Sequence, residues 1–430
     1  MLVVLRTSWT LLFGMLLLLM GNGVQGTLLG IRGGLEGIDA AAMSLVMSGY
    51  YLGFLVGSRR APVHISRVGH VRVFAALAAL VSAAFILYAA APVAWAWALL
   101  RILVGYCFAG IYVVAESWLN DAATNETRGK ALSLYMITQM VGIISAQGIL
   151  VLADPGGYLP FVVMSVLVSI SVGPILLTAG HAPAFATSQR MSLRNLFRTS
   201  PLGCVGTFAL GGVYAAIFGM GSVFGTAKGL TVAEISAFVA VIYLGGLVAQ
   251  YPIGWLSDRM DRRGLILGLT AFGTLATALA TPFSDDYRVL LVLGLVIGGV
   301  ANPLYSLLIA HTNDFLAPAE MASASGGLLF INGLGAIAGP VVIGALMTRL
   351  GPDAYLGYLA VLFGVIAAYA LWRSTRRLAP AVAQTAPYQP VAPQASPVAL
   401  GASREVALGR AAAAGRRPGG NPGGNPGADA

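Results

Sequence analysis

The sequence predicts an all-α membrane protein with twelve transmembrane helices in two six-helix halves and both termini in the cytoplasm. Three observations predict it: repeated apolar segments of bilayer length, a low content of charge, and basic residues gathered on one side. The chain has 430 residues, of which 57% are hydrophobic and only 10% charged. Soluble domains carry about 25% charged residues, so this composition is typical of membrane proteins.

The apolar segments have the length of transmembrane helices. A hydrocarbon core of about 30 Å requires roughly 20 apolar helical residues. The segments are too long for strands of a membrane barrel and lack the alternating pattern of such strands. The predicted spans are 9–31, 40–58, 71–90, 94–116, 131–153, 158–179, 202–225, 232–256, 263–282, 287–310, 322–347 and 354–372.

The first span has an alternative interpretation as a cleaved signal peptide. Arg6, the apolar stretch Leu11–Met20 and small residues near Gly26 match the pattern of a secretory signal. The apolar run continues through Ile31, however, and eleven more spans follow. We therefore interpret residues 9–31 as helix one.

The positions of the basic residues predict the topology. With the N-terminus in the cytoplasm, 20 of the 25 Lys and Arg residues fall on the inner side. Four fall on the outer side and Arg101 lies within helix four. This asymmetry follows the positive-inside rule. The net charge of +9 therefore reports membrane orientation and does not indicate nucleic-acid binding.

The loop between helices six and seven divides the spans into two equal sets. We predict an N-terminal half at 1–180, an inter-half loop at 181–201 and a C-terminal half at 202–377. Residues 378–430 are rich in Ala, Pro, Gly and Arg, a composition that favours a disordered cytoplasmic tail.

A weak internal repeat with an offset of 193 residues supports this division. Residues at this offset lie on corresponding helices of the two halves, and parallel six-helix repeats are typical of transporters. The matched residues are Tyr112 and Tyr305, Asp121 and Asp314, Gly105 and Gly298, and Gly142 and Gly335.

The loop after helix eight carries the most specific motif. Its charges must lie at the membrane surface, since charge is costly in lipid. The motif resembles the Gly-x-x-x-Asp-Arg-x-Gly/Asp-Arg-Arg loop of the major facilitator superfamily. The resemblance implies that Asp258, Arg259 and Arg262, with Gly254 and a partner at Asp314, gate the cytoplasmic side.

The corresponding loop of the N-terminal half departs from this pattern. Arg67 and Gly69 are present, but Ser66 replaces the Asp and Pro62 the Gly. Glu116, at the cytoplasmic end of helix four, is the anion that we expect to pair with Arg67. An ion pair of this kind that breaks between two states would act as a switch.

Arg101 is the charged residue at depth in the predicted membrane. It begins an Arg-x-x-x-Gly sequence with Gly105 that resembles a motif of the same superfamily in helix four. A central Arg costs about 2.5–3.5 kcal/mol on insertion scales, which favours a functional residue facing the cavity and binding an anion. The alternative is an Arg bonded to backbone carbonyls or extended toward the interface.

Helix eleven contains Gly335, Gly339 and Pro340. Their spacing resembles a glycine-proline motif of antiporters in the superfamily, but that motif belongs on helix five. Close helix packing and a bend at the proline explain these residues, and Gly105 has the same packing interpretation.

The resemblance places helices one, four, seven and ten around a central cavity. It thereby selects the substrate-cavity candidates from the polar residues within the spans. Single amides in lipid more often join helices than bind ligands, so the amides outside these four helices are interpreted as structural. The candidates are Asn22, Gln25, Arg101, Tyr214, Asn302 and Tyr305.

The predicted function is transport of a small solute by alternating access, in the inner membrane of a bacterium. Short segments such as Ala115–Asn120 resemble the YcaD-like branch of the superfamily. We expect a monomer in the lipid bilayer with a small-molecule substrate that carries an anionic group. We expect no enzymatic activity, no cofactor, no metal and no nucleic-acid partner.

Two alternatives stay open. Proton coupling would depend on Glu116, and without it the chain would be a facilitator. A membrane sensor or scaffold that retains the transporter fold without transport is the other class of function, because fold alone does not determine function.

Overall fold

The computed structural model describes residues 2–124, 127–176, 191–317, 320–376, 385, 387–392 and 394–413. Within these residues, twelve helices are long and apolar enough to cross a membrane. We number them α1 to α12. Their bounds are α1 Leu2–Leu35, α2 Ala40–Val68, α3 His70–Ala90, α4 Ala94–Ala122, α5 Arg128–Val151, α6 Leu159–Leu176, α7 Pro201–Ala227, α8 Val232–Ser257, α9 Arg262–Ala280, α10 Tyr287–Asn313, α11 Met321–Leu350 and α12 Ala354–Ser374.

The twelve-span prediction is confirmed, with most helices extending beyond their predicted ends. Short loops reverse the chain, and polar side chains cap several helix starts. Thr231 and Glu234 form a capping box at the start of α8, and Asp39 accepts a hydrogen bond from Ala42 N at the start of α2 (2.7 Å). Such caps satisfy amide groups that a new helix leaves without partners.

The two ends of the bundle differ in charge. The loops that carry Arg67, Arg128 and Arg259 lie at one end, which we call the basic face. The loops that carry Asp39 and Lys228 lie at the opposite end, which we call the outer face. The positive-inside rule predicts that the basic face is the cytoplasmic one.

A cluster of charged groups joins three outer loops of the C-terminal half. Lys228 Nζ contacts Asp285 Oδ1 at 2.5 Å and Asp353 Oδ1 at 3.0 Å. Burial acts to lower the pKa of Lys228, but the bonds to the two carboxylates outweigh it and the pKa is raised. The ammonium therefore holds the ends of α7, α9 and α11 together.

Glycines let the helices of each half approach at van der Waals distance. In the N-terminal half, a Cβ on Gly53 would overlap the Ile102 carbonyl, and one on Gly105 would overlap the Tyr50 carbonyl. These residues pack α2 against α4 along their length. Small residues at such crossings allow close backbone contact where lipid supplies no hydrophobic driving force.

The C-terminal half repeats the same contacts. Gly245 lies against the Leu295 carbonyl and Gly298 against the Ile242 carbonyl, so α8 packs on α10 as α2 packs on α4. The second pair of glycines in the repeat, Gly142 and Gly335, also makes equivalent contacts in the two halves. Gly142 packs on the backbone of α1, and Gly335 packs on the backbone of α7. The sequence repeat therefore corresponds to equivalent helix crossings in the two halves.

The remaining predicted packing residues lie at the crossing of α11 and α7. A Cβ on Gly339 would lie 2.9 Å from the Cα of Gly212. Pro340 is inside α11, one residue later. The positions agree with the packing interpretation of this helix.

The halves contact each other toward the outer face. Ser222 Oγ on α7 donates to the Gly26 carbonyl on α1 (3.4 Å). Ser48 Oγ on α2 donates to the Ile337 carbonyl on α11 (2.8 Å), and Gly344 of α11 packs against Ser44. These contacts close the outer end of the interface between the halves.

The C-terminal region differs from its predicted disorder. The structure contains a C-terminal helix, Pro397–Ala413, that lies against the basic face, and Tyr388 and Val391 before it are buried. Ala is the strongest helix former, and buried Leu400, Ala407 and Ala411 recur at helical spacing. The composition of this region therefore did not predict its helix. Residues 414–430 lie outside the described residues, as does the inter-half loop before residue 191, which is followed by a short helix, Leu193–Thr199.

We expect Gly298→Ala to destabilise the protein by about 1–3 kcal/mol, because the added methyl overlaps the Ile242 carbonyl. Thermal unfolding of the purified protein measures the effect. Gly299→Ala is the matched control, since its Cβ would lie 3.4 Å from the Cβ of Ala249, an ordinary contact. Equal unfolding temperatures for the two variants would contradict the close crossing of α8 and α10.

Candidate functional site

A cavity lies between the two halves. The space in and around it that protein atoms do not fill is about 730 Å³, open solvent included. Most of the described lining residues are aromatic, carry a side-chain amide or are small. Arg101 is the charged one among these lining residues. The lining residues are Asn22, Gly23, Gly26, Thr27, Tyr50, Tyr51, Arg101, Tyr112, Gln139, Ile143, Gln147, Ile217, Phe218, Ser222, Val239, Tyr243 and Gln394.

Neutral groups hold the guanidinium of Arg101. The side chain is 4% exposed. Its Nη1 donates to Gln25 Oε1 at 2.9 Å and its Nη2 to Met47 Sδ at 3.0 Å. The guanidinium carbon lies 5.1 Å from the centroid of the Tyr50 ring. Within the described residues, Nε has no hydrogen-bond partner. The positive charge is thus positioned but not neutralised.

Aromatic side chains form the opposite part of the lining. Phe218 on α7 stacks on Tyr243 of α8 with ring centroids 4.8 Å apart. Phe218 lies in a π-helical turn, Ala216–Met220, which interrupts the regular helix. Such turns are frequent at functional sites because they change the direction of side chains. Together with Tyr51, these rings offer an apolar surface to a ligand.

Of the six predicted cavity residues, three lie in the cavity lining or directly next to it, and Arg101 is one of them. Asn22 and Arg101 line the cavity. Gln25 is fully buried, and its amide nitrogen donates to the Tyr88 hydroxyl at 2.8 Å. Gln25 therefore positions Arg101 and does not face the cavity.

The three candidates of the C-terminal half lie outside the cavity lining. The Tyr214 hydroxyl donates to the Ala301 carbonyl at 3.0 Å, and Asn302 Nδ2 donates to the Gly298 carbonyl at 3.1 Å. Tyr305 is buried edge-on against Tyr214. The Tyr214 hydroxyl therefore joins α7 to α10, a usual role of single polar residues in lipid, whereas the Asn302 bond lies within α10.

The lining includes residues that the sequence analysis did not select. Gln139 and Gln147 of α5 were interpreted as structural because only helices one, four, seven and ten were expected at the cavity. With Ile143 they occupy positions i, i+4 and i+8, so they share one face of α5. That spacing is the signal that could have identified them.

A buried ion pair connects the loop after α8 with the end of α10. Arg262 Nη1 bonds to Asp314 Oδ1, and Arg262 Nε donates to Ser257 Oγ at 3.1 Å. Both charged residues are buried. The predicted partner of the loop motif is therefore in contact with it. Arg262 also lies 4.0 Å from Asp258 Oδ1.

Two other residues of this motif have different surroundings. Arg259 is exposed and stacks over the Trp255 ring at 4.1 Å. Gly254 faces the ring of Tyr388, to which a Cβ would approach within 2.7 Å. Asp258 Oδ1 accepts a hydrogen bond from Tyr388 N at 2.6 Å. The motif thus contacts the C-terminal region as well as α10.

The structure does not bring Arg67 and Glu116 together. Arg67 is exposed in the last turn of α2. Glu116 is 1% exposed, and its Oε2 accepts a hydrogen bond from Ser396 N at 2.8 Å. A backbone amide from the C-terminal region therefore takes the position at which the sequence analysis expected a cation.

We expect Asp314→Asn to lower the free energy of unfolding by about 3–5 kcal/mol, because it removes the carboxylate in direct contact with the buried Arg262 guanidinium. Asp121→Asn is the control: Asp121 is the counterpart of Asp314 in the repeat and is exposed at the end of α4. Thermal unfolding compares them. A similar small loss in both variants would mean that the ion pair adds nothing measurable.

Comparison with known proteins agrees with this architecture. The family model of the Major Facilitator Superfamily matches residues 11–231 and 202–412. An uncharacterized MFS-type transporter, YcaD, of Escherichia fergusonii is 28% identical over 351 residues, which cover 80% of this chain and 89% of that protein. An uncharacterized MFS-type transporter of Enterobacter sp. strain 638 is 29% identical over 349 residues, covering 80% and 89%.

Solved structures share the fold at low identity. The nucleoside transporter NupG has a TM-score of 0.71 and 17% identity, covering 86% of this chain and 98% of that one. A bacterial homologue of the human lysosomal transporter Spinster, in an inward-facing and unoccupied conformation, has a TM-score of 0.65 and 14% identity, covering 94% and 98%. The chain therefore belongs to the major facilitator superfamily, in its YcaD-like branch, and is a multi-pass transporter of the bacterial inner membrane.

Proposed function

We propose that the chain carries a small organic anion across the membrane by alternating access, with Arg101 as the residue that binds the anionic group. The observation that carries this proposal is the lining of the cavity. Arg101 is buried there among neutral partners, and none of the described lining residues is acidic.

Electrostatics favours an anion in this cavity. A charge in the membrane interior is costly, and a hydrogen-bonded counter-ion offsets that cost. Amide and thioether groups solvate the guanidinium but leave its charge. A carboxylate or phosphate beside Arg101 would neutralise it and would find the free Nε donor. A cationic substrate would be repelled.

The aromatic part of the lining supports a substrate with a ring or another apolar portion. Phe218, Tyr243 and Tyr51 expose ring surface to the cavity, and Asn22, Gln139 and Gln147 can hydrogen-bond to polar substituents. The solved relative NupG is a nucleoside transporter, so a polar solute with a ring is compatible with this fold.

The contacts between the halves support the transport mechanism. The halves touch near the outer face through α1 with α7 and α2 with α11. Rocking about the central cavity would exchange this closure for closure at the basic face. We propose that Gly254, Asp258, Arg259, Arg262 and Asp314 act at that face as the gate, with Glu116 on the other half.

Transport is either coupled to protons or facilitated without an energy source, and one assay distinguishes the two. Glu116 is the buried carboxylate within the described part of the spans, so proton coupling would use it. In proteoliposomes with an internal pH dye, entry of the anion with protons acidifies the lumen. Loss of that signal in Glu116→Gln with binding retained indicates coupling, and transport without a pH change indicates a facilitator.

We expect an organic anion to raise the unfolding temperature of the purified protein and to lose this effect in Arg101→Ala. A ligand at 100 times its dissociation constant stabilises the fold by about 2.7 kcal/mol. The panel contains carboxylates and phosphates with and without rings, nucleosides, and organic cations.

Arg288→Ala is the control for Arg101→Ala, since Arg288 is exposed near the outer face. Arg101→Lys keeps the charge and should retain part of the stabilisation. Stabilisation by cations, or by anions equally in Arg101→Ala, would overturn the assignment of the anion site. No stabilisation by any compound would favour the sensor or scaffold.

A further inference from the structure

We propose that the opening of the cavity at the basic face is a binding site for the chain's own C-terminal segment, which closes the cavity from that side. We define the C-terminal segment as residues 387–392 and 394–413. It contacts both halves at once, and its bound position blocks passage between the cavity and the aqueous phase. The proposal concerns access to the cavity and holds whatever the substrate is.

The N-terminal half binds the segment through α4 and α5. Ser396 N donates to the buried carboxylate of Glu116 at 2.8 Å. The Arg128 guanidinium at the start of α5 pairs with Glu405 of the C-terminal helix. Gly129 provides room beside Val406, because a Cβ there would lie 3.0 Å from the valine methyl.

The C-terminal half binds the segment through the ends of α8 and α10. Asp258 Oδ1 accepts from Tyr388 N at 2.6 Å, and Gln250 Nε2 donates to the Tyr388 hydroxyl at 2.7 Å. Ser306 Oγ on α10 accepts from Val391 N at 2.9 Å and donates to the carbonyl of the same residue at 3.3 Å.

These bonds use carboxylates and a hydroxyl of the transporter to satisfy backbone groups of the segment. Hydrogen bonds from backbone amides to ionised acceptors are among the strong ones. Glu116, Ser306 and Val391 are all buried, so departure of the segment would need water to replace it. Glu116 and Asp258, on opposite halves, form the two ends of this binding site.

The segment also reaches the central cavity. Gln394 belongs to the same lining as Arg101 and Phe218. Through Gln394, the segment therefore contributes to the lining of the cavity. The outer ends of the halves are in contact, so movement of the segment would open the route at the basic face.

Two consequences follow for the transport cycle. A solute cannot enter or leave at the basic face until the segment moves away. The halves cannot close at that face either, since the segment occupies the space between α4 and α8. Because the segment is tethered, its local concentration is high, and it competes with any other ligand of this opening.

The test measures access to the cavity from the basic face. In a chain with Cys107→Ala and Cys204→Ala, a reporter is introduced by Gln139→Cys, a cavity position. Inverted membrane vesicles are treated with a membrane-impermeant maleimide, and the labelling rate is recorded. Three further variants are compared with this full chain: one ending at Arg376, one with Gly254→Ala and one with Gly264→Ala.

We expect the labelling rate to rise on the order of tenfold or more in the chain ending at Arg376, because several buried hydrogen bonds hold the segment. Gly254→Ala should raise the rate in the full-length chain, since its Cβ displaces the Tyr388 ring. Gly264→Ala is the matched control, because no other part of the described chain comes within 4 Å of its Cβ. A synthetic peptide of residues 385–413 should restore protection to the shortened chain.

Equal labelling of the shortened chain, Gly254→Ala and the full chain would overturn the proposal. If the shortened chain fails to fold, as judged by its thermal transition, the labelling rates of Gly254→Ala and Gly264→Ala are compared instead. Equal rates in these two variants would then overturn the proposal. The assay needs no substrate. If labelling increases, a ligand screen that is negative for the chain ending at Arg376 as well would reject the organic-anion proposal alone. Stabilising anions with unchanged labelling would reject closure of the cavity by the C-terminal segment alone.

Discussion

A positive charge inside a lipid-spanning bundle must be solvated by the protein, and the N-terminal half is arranged around this requirement at Arg101. Gln25 of α1 and Met47 of α2 receive its hydrogen bonds. Gln25 in turn donates to Tyr88 of α3, whose carbonyl accepts from Trp97 of α4 at 3.0 Å. One guanidinium therefore connects four helices. Each partner is neutral, so the network fixes the position of the charge and leaves its field directed to the cavity.

The two halves share their packing and differ in their chemistry. Equivalent glycines place α2 on α4 and α8 on α10. The position 193 residues after Arg101 is Gly294, which packs against Phe238. The charge that lines the cavity thus belongs to the N-terminal half, and the π-helical turn with Phe218 belongs to the C-terminal half. A ligand that touches both surfaces contacts both halves, and such contacts change when the halves move.

The sequence predicted the features that depend on local residue patterns or on the order of segments along the chain. Twelve spans follow from segment length, and the equivalent crossings follow from the glycine repeat. The partner of Arg262 follows from the resemblance of the loop motif and from the position of Asp314 at the end of helix ten. The cavity lining was predicted only in part. Whether Tyr305 faces a cavity or packs on Tyr214 depends on helix rotation, which one sequence does not determine.

The C-terminal region was missed for a related reason. Its small side chains bury little surface by themselves, which favours disorder when the segment is considered alone. Bound between the halves, it satisfies its backbone groups with Glu116, Asp258 and Ser306. The hydrogen-bond acceptors that hold the segment in place are far from it in the sequence. The composition of the segment therefore does not predict that it binds there.

The altered loop of the N-terminal half and the bound segment have a common physical explanation. Ser66 and Pro62 remove the groups that would form a second internal latch, and Arg67 stays exposed. Glu116 is then a buried acidic group that needs a hydrogen-bond partner, because an unpaired buried polar group is costly. Ser396 N supplies it. The same segment engages Asp258 on the other half, so a contact within one half has been replaced by a bridge between the two. This bridge stabilises the state in which the segment lies between the basic ends of the two halves.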